Sequence, residues 1–217
     1  MSLWGRIFAA GYDRYMARSE RGGLAAKRAL LLGEATGRVL EIGAGTGLNL
    51  ARYGDGIQEL VLTEPEEPMA RRLEAKLHKS GLDARVMRAP AEQLPFEEGV
   101  FDCVISTLVL CTVPDQAATL AELRRVLRPD GRLFFLEHVR SEDPKLARWQ
   151  DRLGPLWARF GQGCQCNRTT LSSIEAGFRV EQLEHDRVPK APPWVRPLIA
   201  GRARRPDETG PLRSAKR

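Results

Sequence analysis

Only four cysteines stand among the 217 residues, too few for a disulfide framework. Cys164-Gln165-Cys166 is a C-x-C with no second pair, and His78, His138 and His185 are scattered, so reduced structural thiols are expected and no metal. Long apolar runs are missing as well. The longest, Val104 to Val113, contains Ser106 and Thr107 and is far shorter than the ~20 residues that cross a bilayer. Near the N-terminus, Arg6, Asp13 and Arg14 interrupt any signal-peptide core, which predicts a cytoplasmic protein. Charge of one sign is scarce in the body. Of the net +6, the stretch from Arg202 onward carries +4 and the remainder +2. A body so close to neutral offers no nucleic-acid surface. Residues 206–217, with Pro206, Gly210 and Pro211, read as a disordered basic tail capable at most of weak peripheral membrane contact. The length suits a single α/β domain over 38–205, behind an N-terminal helical cap over 1–37.

What is present centres on Arg38-Val39-Leu40-Glu41-Ile42-Gly43-Ala44-Gly45-Thr46-Gly47-Leu48. A strand signal runs into three glycines at alternate positions, and a helix is predicted from Leu48 to Tyr53. Glycines there permit positive φ and close approach of a ligand. A helix opening at that point would add unpaired N–H groups and a positive dipole end. The order G-x-G-x-G is one residue shorter than a dinucleotide fingerprint, which argues against NAD. About twenty residues on, a second strand, Leu60 to Thr63, ends in Glu64, a carboxylate placed to accept both hydroxyls of a ribose.

The periodicities along the rest of the chain predict helices over 2–20, 22–36, 65–80, 116–127, 144–160 and 172–177. Strands are predicted over 84–88, 100–107, 132–138, 178–185 and 198–202. The strand 100–107 is apolar on both faces, as in the middle of a parallel sheet, so Thr107 and Leu108 should line the ligand crevice at its tip. Arg128-Pro129-Asp130-Gly131 reads as a turn. Leu146, Trp149, Leu153, Leu156, Trp157 and Phe160 recur at helical intervals and are read as a lid over an acceptor, with a bilayer surface as the other use of such a face. Arg168 is placed to hold an anionic acceptor group or a backbone carbonyl.

Glu41-Gly43-Gly45-Gly47 with Glu64 resembles the donor site of the class I S-adenosylmethionine-dependent methyltransferases. The fold implied is a Rossmann-like seven-stranded α/β sheet with helices on both faces and an antiparallel last strand. The resemblance implies S-adenosyl-L-methionine as the donor, held by Tyr12, Glu41, Gly43, Ala44, Gly45, Gly47, Asn49, Glu64, Pro65, Met69, Ala91, Glu92, Thr107 and Leu108. Tyr12 enters through Phe8-Ala9-Ala10-Gly11-Tyr12-Asp13, whose aromatic reaches the donor's carboxylate end in relatives of this fold. Ala89-Pro90-Ala91-Glu92-Gln93-Leu94-Pro95-Phe96 is similar to the family's adenine loop, although Pro90 replaces its aspartate and cannot accept the adenine amino proton. The contact passes to the backbone around Ala91 or to Glu92.

Further along, Leu108-Val109-Leu110-Cys111, Leu136-Glu137-His138-Val139, Gly163 to Thr169 and Ala191 to Pro197 look like the set in the methyltransferase-like proteins that S-methylate alkyl thiols, within the ubiquinone/menaquinone-methyltransferase-like group. The expected activity is methyl transfer to a small apolar acceptor, a thiol for preference, with a lipid or quinone precursor at a membrane surface as the alternative. Methyl displacement from a sulfonium needs orientation and exclusion of water more than acid–base help. A thiol must lose its proton, and His138, closing the fifth strand, is the residue predicted to assist.

Overall fold

The computed structural model describes residues 3–206, with side chains from Gly5 onward; the tail over 207–217 and the Trp4 side chain lie outside the described residues. Seven strands form one mixed sheet: β1 (Gly37–Ile42), β2 (Ile57–Thr63), β3 (Arg85–Met87), β4 (Phe101–Thr107), β5 (Leu127–His138), β6 (Arg179–Arg187) and β7 (Pro197–Arg204). Their order is β3-β2-β1-β4-β5-β7-β6. The first five are mutually parallel. β7 enters between β5 and β6 and runs antiparallel to both. The order reverses between β1 and β4, so a crevice opens beyond their carboxyl ends.

Among the described residues six α-helices accompany the sheet: α1 (Leu3–Ser19), α2 (Ala25–Leu32), α3 (Glu67–Ser80), α4 (Gln116–Val126), α5 (Pro144–Phe160) and α6 (Thr170–Gly177). The alternation of β5 shows how the layers divide. Leu133 and Phe135 enter a core with Leu120, Leu123 and Ile174 from α4 and α6. Phe134 turns to the opposite core, with Leu32 and Leu73 from α2 and α3. A third cluster, with Met16, Leu24, Leu136 and Leu198, packs the kinked α1–α2 segment onto the β5–β7 end. The kink falls at Gly23, whose φ of 126° breaks the helix predicted over 22–36. The Arg128-Pro129-Asp130-Gly131 turn survives as a bulge: Leu127 pairs with Phe101, and the ladder resumes at Arg132.

Two expectations need correction. The helix predicted over Leu48–Tyr53 is a single 3-10 turn, Leu50–Arg52. Tyr53 is drawn into extended backbone, its hydroxyl donating to Glu41, and the following Gly54 lies against the Gly33 backbone. Among the described residues no α-helix therefore opens directly at the glycine turn; the nearest helix start is that of α3, beside Glu64.

The second correction concerns α5. It packs chiefly through its small and polar side, Ala147, Gln150 and Gly154, and of its apolar stripe only Trp157 joins the third cluster. Gln150 is fully buried; it donates to the carbonyls of Val139 and Cys166 at 3.0 and 2.8 Å and accepts from the Ser141 amide at 2.7 Å. Gly154 lets Asn167 come close. Trp149, Leu156 and Phe160 are left more than half exposed, and Trp149 and Leu156 cover nothing among the described residues.

Candidate active site

The site is assembled at the tips of β1, β2 and β4. Gly43, Gly45 and Gly47 have φ of 54°, 59° and 80°. At Gly43 a side chain is excluded twice over, because a Cβ would stand 2.7 Å from Cγ2 of Val109. Gly45 meets nothing closer than 3.7 Å, so its open side faces the space a ligand would use. The turn delivers a backbone amide to a carboxylate: Gly45 N–H donates to Glu64 at 2.8 Å, and the Glu66 amide donates to the other oxygen at 2.9 Å. Burial raises the Glu64 carboxyl above its ordinary range, and the two amides partly offset that.

Glu41 is the second buried carboxylate. It accepts from Asn49 Nδ2 at 2.7 Å and from Tyr53, and burial again raises its pKa. Asn49 also donates to Thr107 at 3.0 Å and accepts from the buried Arg28 at 3.0 Å. Arg28 in turn pairs with Glu20 at 3.0 Å. One chain of polar contacts thus crosses from α1–α2 to β4. A second tie holds α1 down: Thr46 donates to Asp13, which pairs with Lys76 at 2.6 Å.

Tyr12, Glu41, Gly43, Ala44, Gly45, Asn49 and Thr107, all anticipated from sequence, line one cavity. Arg28, Thr46 and Leu48 join them and were missed. Arg28 sits in an ordinary-looking helix, and no spacing distinguishes it from the surface arginines; Thr46, between two glycines of the motif, was legible. Tyr12 has its hydroxyl pushed up to about 12 by burial. Among the remaining predicted residues, the Met69 methyl lies over Gly45, Ala91 is buried, and Glu92 accepts from the Asp115 amide at 3.4 Å. Pro65 is exposed beside Glu64, and Gly47 is packed against Leu50 and Leu73. Leu108 has a left-handed φ of 61°, unusual for a leucine, and its amide is fixed by Leu136 O at 2.8 Å.

His138 is not in this cavity. It is buried and its Nδ1 has no partner among the described residues. Burial pushes its pKa down to about 4, which makes it a poor proton acceptor for a thiol. Its neighbour Glu137 was overlooked. One of its oxygens accepts from Ser106 Oγ at 2.7 Å and Val109 N at 3.0 Å, which pins the loop after β4; burial raises this carboxyl to about 7. Arg168 donates to the carbonyls of Leu110 and Val113, both at 2.8 Å, and so takes the structural one of its two anticipated roles.

The cradle fits a cationic nucleoside. Glu41 lines it opposite Arg28, Glu64 sits behind the Gly45 amide, and Gly45 alone of the three glycines leaves open space. Residues 40–135 match the family model described as a methyltransferase domain. Thiol S-methyltransferase TMT1B of Homo sapiens is 36% identical over 181 residues, 78% of this chain and 72% of that one. The chain belongs to the class I S-adenosylmethionine-dependent methyltransferases. Homo sapiens thiol S-methyltransferase TMT1A is 33% identical over 171 residues, 76% of this chain and 69% of that one. Among solved structures, one described as a methyltransferase from Bacillus halodurans C-125 superposes with a TM-score of 0.68 at 17% identity, over 85% of this chain and 99% of that one. This methyltransferase is therefore an enzyme that uses S-adenosyl-L-methionine.

Proposed function

We propose that this methyltransferase S-methylates a small apolar thiol, with the acceptor entering beside Thr107 and Leu108. The observation that carries the reading is the 36% identity to a thiol S-methyltransferase over a span reaching well beyond the donor loop. The half-buried Leu108 at the tip of β4 supports it.

In this reading Glu64 accepts the ribose hydroxyls, and the backbone of Gly43 to Gly47 lets the donor lie close to the sheet. Met69, Pro65, Ala91 and Glu92 flank the adenine. Tyr12, Arg28 and Asn49 hold the amino-acid end, while Glu41 fixes Asn49 and faces the positive end of the donor. S-adenosylmethionine supplies a methyl group on a sulfonium, which leaves as a neutral thioether. The chain's part is orientation and exclusion of water, each of which favours an in-line displacement. The acceptor thiolate forms the new C–S bond, and its proton goes to solvent. With its pKa near 4, the buried His138 does not take that proton. The cavity between Tyr12 and Gly45 measures about 20 Å³, room for a single water, so the donor enters as α1 swings away from Thr46.

The test is a donor-dependent methylation assay across alkyl thiols, phenols and amines. Turnover should favour alkyl thiols, and kcat/KM should climb with pH up to the free acceptor thiol's own pKa with no inflection near ~6.5. Transfer confined to oxygen or nitrogen would refute the thiol assignment.

A further inference from the structure

We infer that the outer face of α5 is a docking surface for a bilayer rich in anionic lipid. It goes beyond the reading above and is independent of the acceptor atom.

The helix is 17 residues long, or about 25 Å at 1.5 Å per residue. At roughly 100° per residue its surface divides into three arcs. Ala147, Gln150 and Gly154 form the arc packed against the protein. Trp149, Leu153 and Leu156 share a second arc, roughly 60° wide. Trp149 is 57% and Leu156 59% exposed. The third arc, contiguous with the apolar one, holds Lys145, Arg148, Arg152 and Arg159, all exposed. None of these four side chains meets a carboxylate among the described residues. The single acid of the helix, Asp151, lies on the other edge and is engaged by Arg140 at 2.8 Å and Asn167 at 3.1 Å.

An apolar stripe bordered by cations suits the boundary between acyl chains and anionic headgroups. Tryptophan favours that boundary, and arginine keeps its charge in the headgroups while its stem lies along apolar surface. A second copy is the poorer occupant, because it would bring the same four cations to the interface. No helix among the described residues is long and apolar enough to cross a membrane, so the contact is with the surface. The packed side of α5 leads inward through Trp157, Cys164 and Cys111 to the loop beyond β4, so a docked enzyme would present its acceptor side to the lipid.

Flotation of the full chain with phosphatidylcholine vesicles, and with vesicles of phosphatidylcholine and phosphatidylglycerol at 7:3, tests the assignment. The wild type should float with the anionic vesicles and stay in solution with the neutral ones. Trp149→Ser/Leu156→Ser should lower partitioning at least 30-fold, and Arg148→Glu/Arg152→Glu at least 10-fold, with unchanged S-adenosylhomocysteine affinity by calorimetry as the control for folding. Three results would overturn it. One is no flotation of the wild type on anionic vesicles at low salt. Another is flotation lost on Arg213→Ser/Lys216→Ser/Arg217→Ser but kept in the α5 variants. The third is a concentration-dependent dimer that the α5 substitutions dissolve.

Discussion

The two flanks of the sheet are held together by different means. On the donor flank, at β1, β2 and β4, the chain works through backbone: three positive-φ glycines, amides offered to Glu64, and carboxylates on strand tips. On the flank proposed for the acceptor, around β5, α5 and α6, side chains reach across long sequence distances. Glu137 pins the loop after β4, Arg168 ties two carbonyls of that loop, and Gln150 ties the carbonyls of Val139 and Cys166. One flank is built on a short motif, the other on scattered contacts with no spacing in common.

That contrast can be broken first at Gly43. Gly43→Ala puts a methyl 2.7 Å from Val109 on a backbone with φ of 54°. It should cost about 2–4 kcal/mol of stability and at least ~100-fold in donor affinity, read by chemical denaturation and by calorimetry with S-adenosylhomocysteine. The same substitution at Gly45, where space is open but φ is 59°, should cost only the backbone strain, about 1–2 kcal/mol.

The acceptor flank is sharpened by the adjacent pair Glu137 and His138. Folded, Glu137 keeps its proton up to about pH 7 instead of 4.5, so its contribution makes stability fall as pH rises through that window. His138 stays neutral down to about pH 4 instead of 6.5, so its contribution makes stability fall as pH drops through that window. The two slopes oppose each other between about 4.5 and 6.5, and each spans roughly 3 kcal/mol. Glu137→Gln should therefore uncover loss of stability toward acid, and His138→Asn loss of stability toward neutral pH. Denaturation midpoints measured from pH 4.5 to 7.5 check both signs. His138→Asn should also leave kcat within about threefold of wild type; a loss of ~100-fold would restore it as a proton-transfer residue.

The smallest expected effect is at Glu64. Glu64→Gln points an amide group at one of two backbone N–H donors, which loses one hydrogen bond of about 1–2 kcal/mol. Donor affinity should fall about 10-fold with acceptor KM unchanged. An acceptor effect as large as the donor effect would erase the division of labour between the flanks.

Legibility in the sequence follows the same division. Glu41, the glycines and Glu64 could be read because strand, turn and carboxylate are close in the chain and each has a mechanical reason to be there. The seven strands were legible from apolar runs, and the antiparallel β7 from the fold implied by the resemblance. Two short-range inferences failed for tertiary reasons. The helix after Gly47 gave way because Tyr53 is drawn to Glu41. The α5 stripe was taken for a lid because periodicity finds an apolar face but not which face is packed; Gln150 and Gly154 decided that. Arg28 and Glu137 carried no local signal, since their partners lie on other elements of the fold.

The place of β7 has a practical corollary for anyone handling this enzyme. Arg204 pairs with Arg132, at the amino end of the β5 ladder, so β7 finishes at the end of the sheet opposite the crevice. A fluorescent fusion joined directly after Pro206 would start from that far end, whereas one joined ahead of α1 burdens the segment bearing Tyr12 and Asp13.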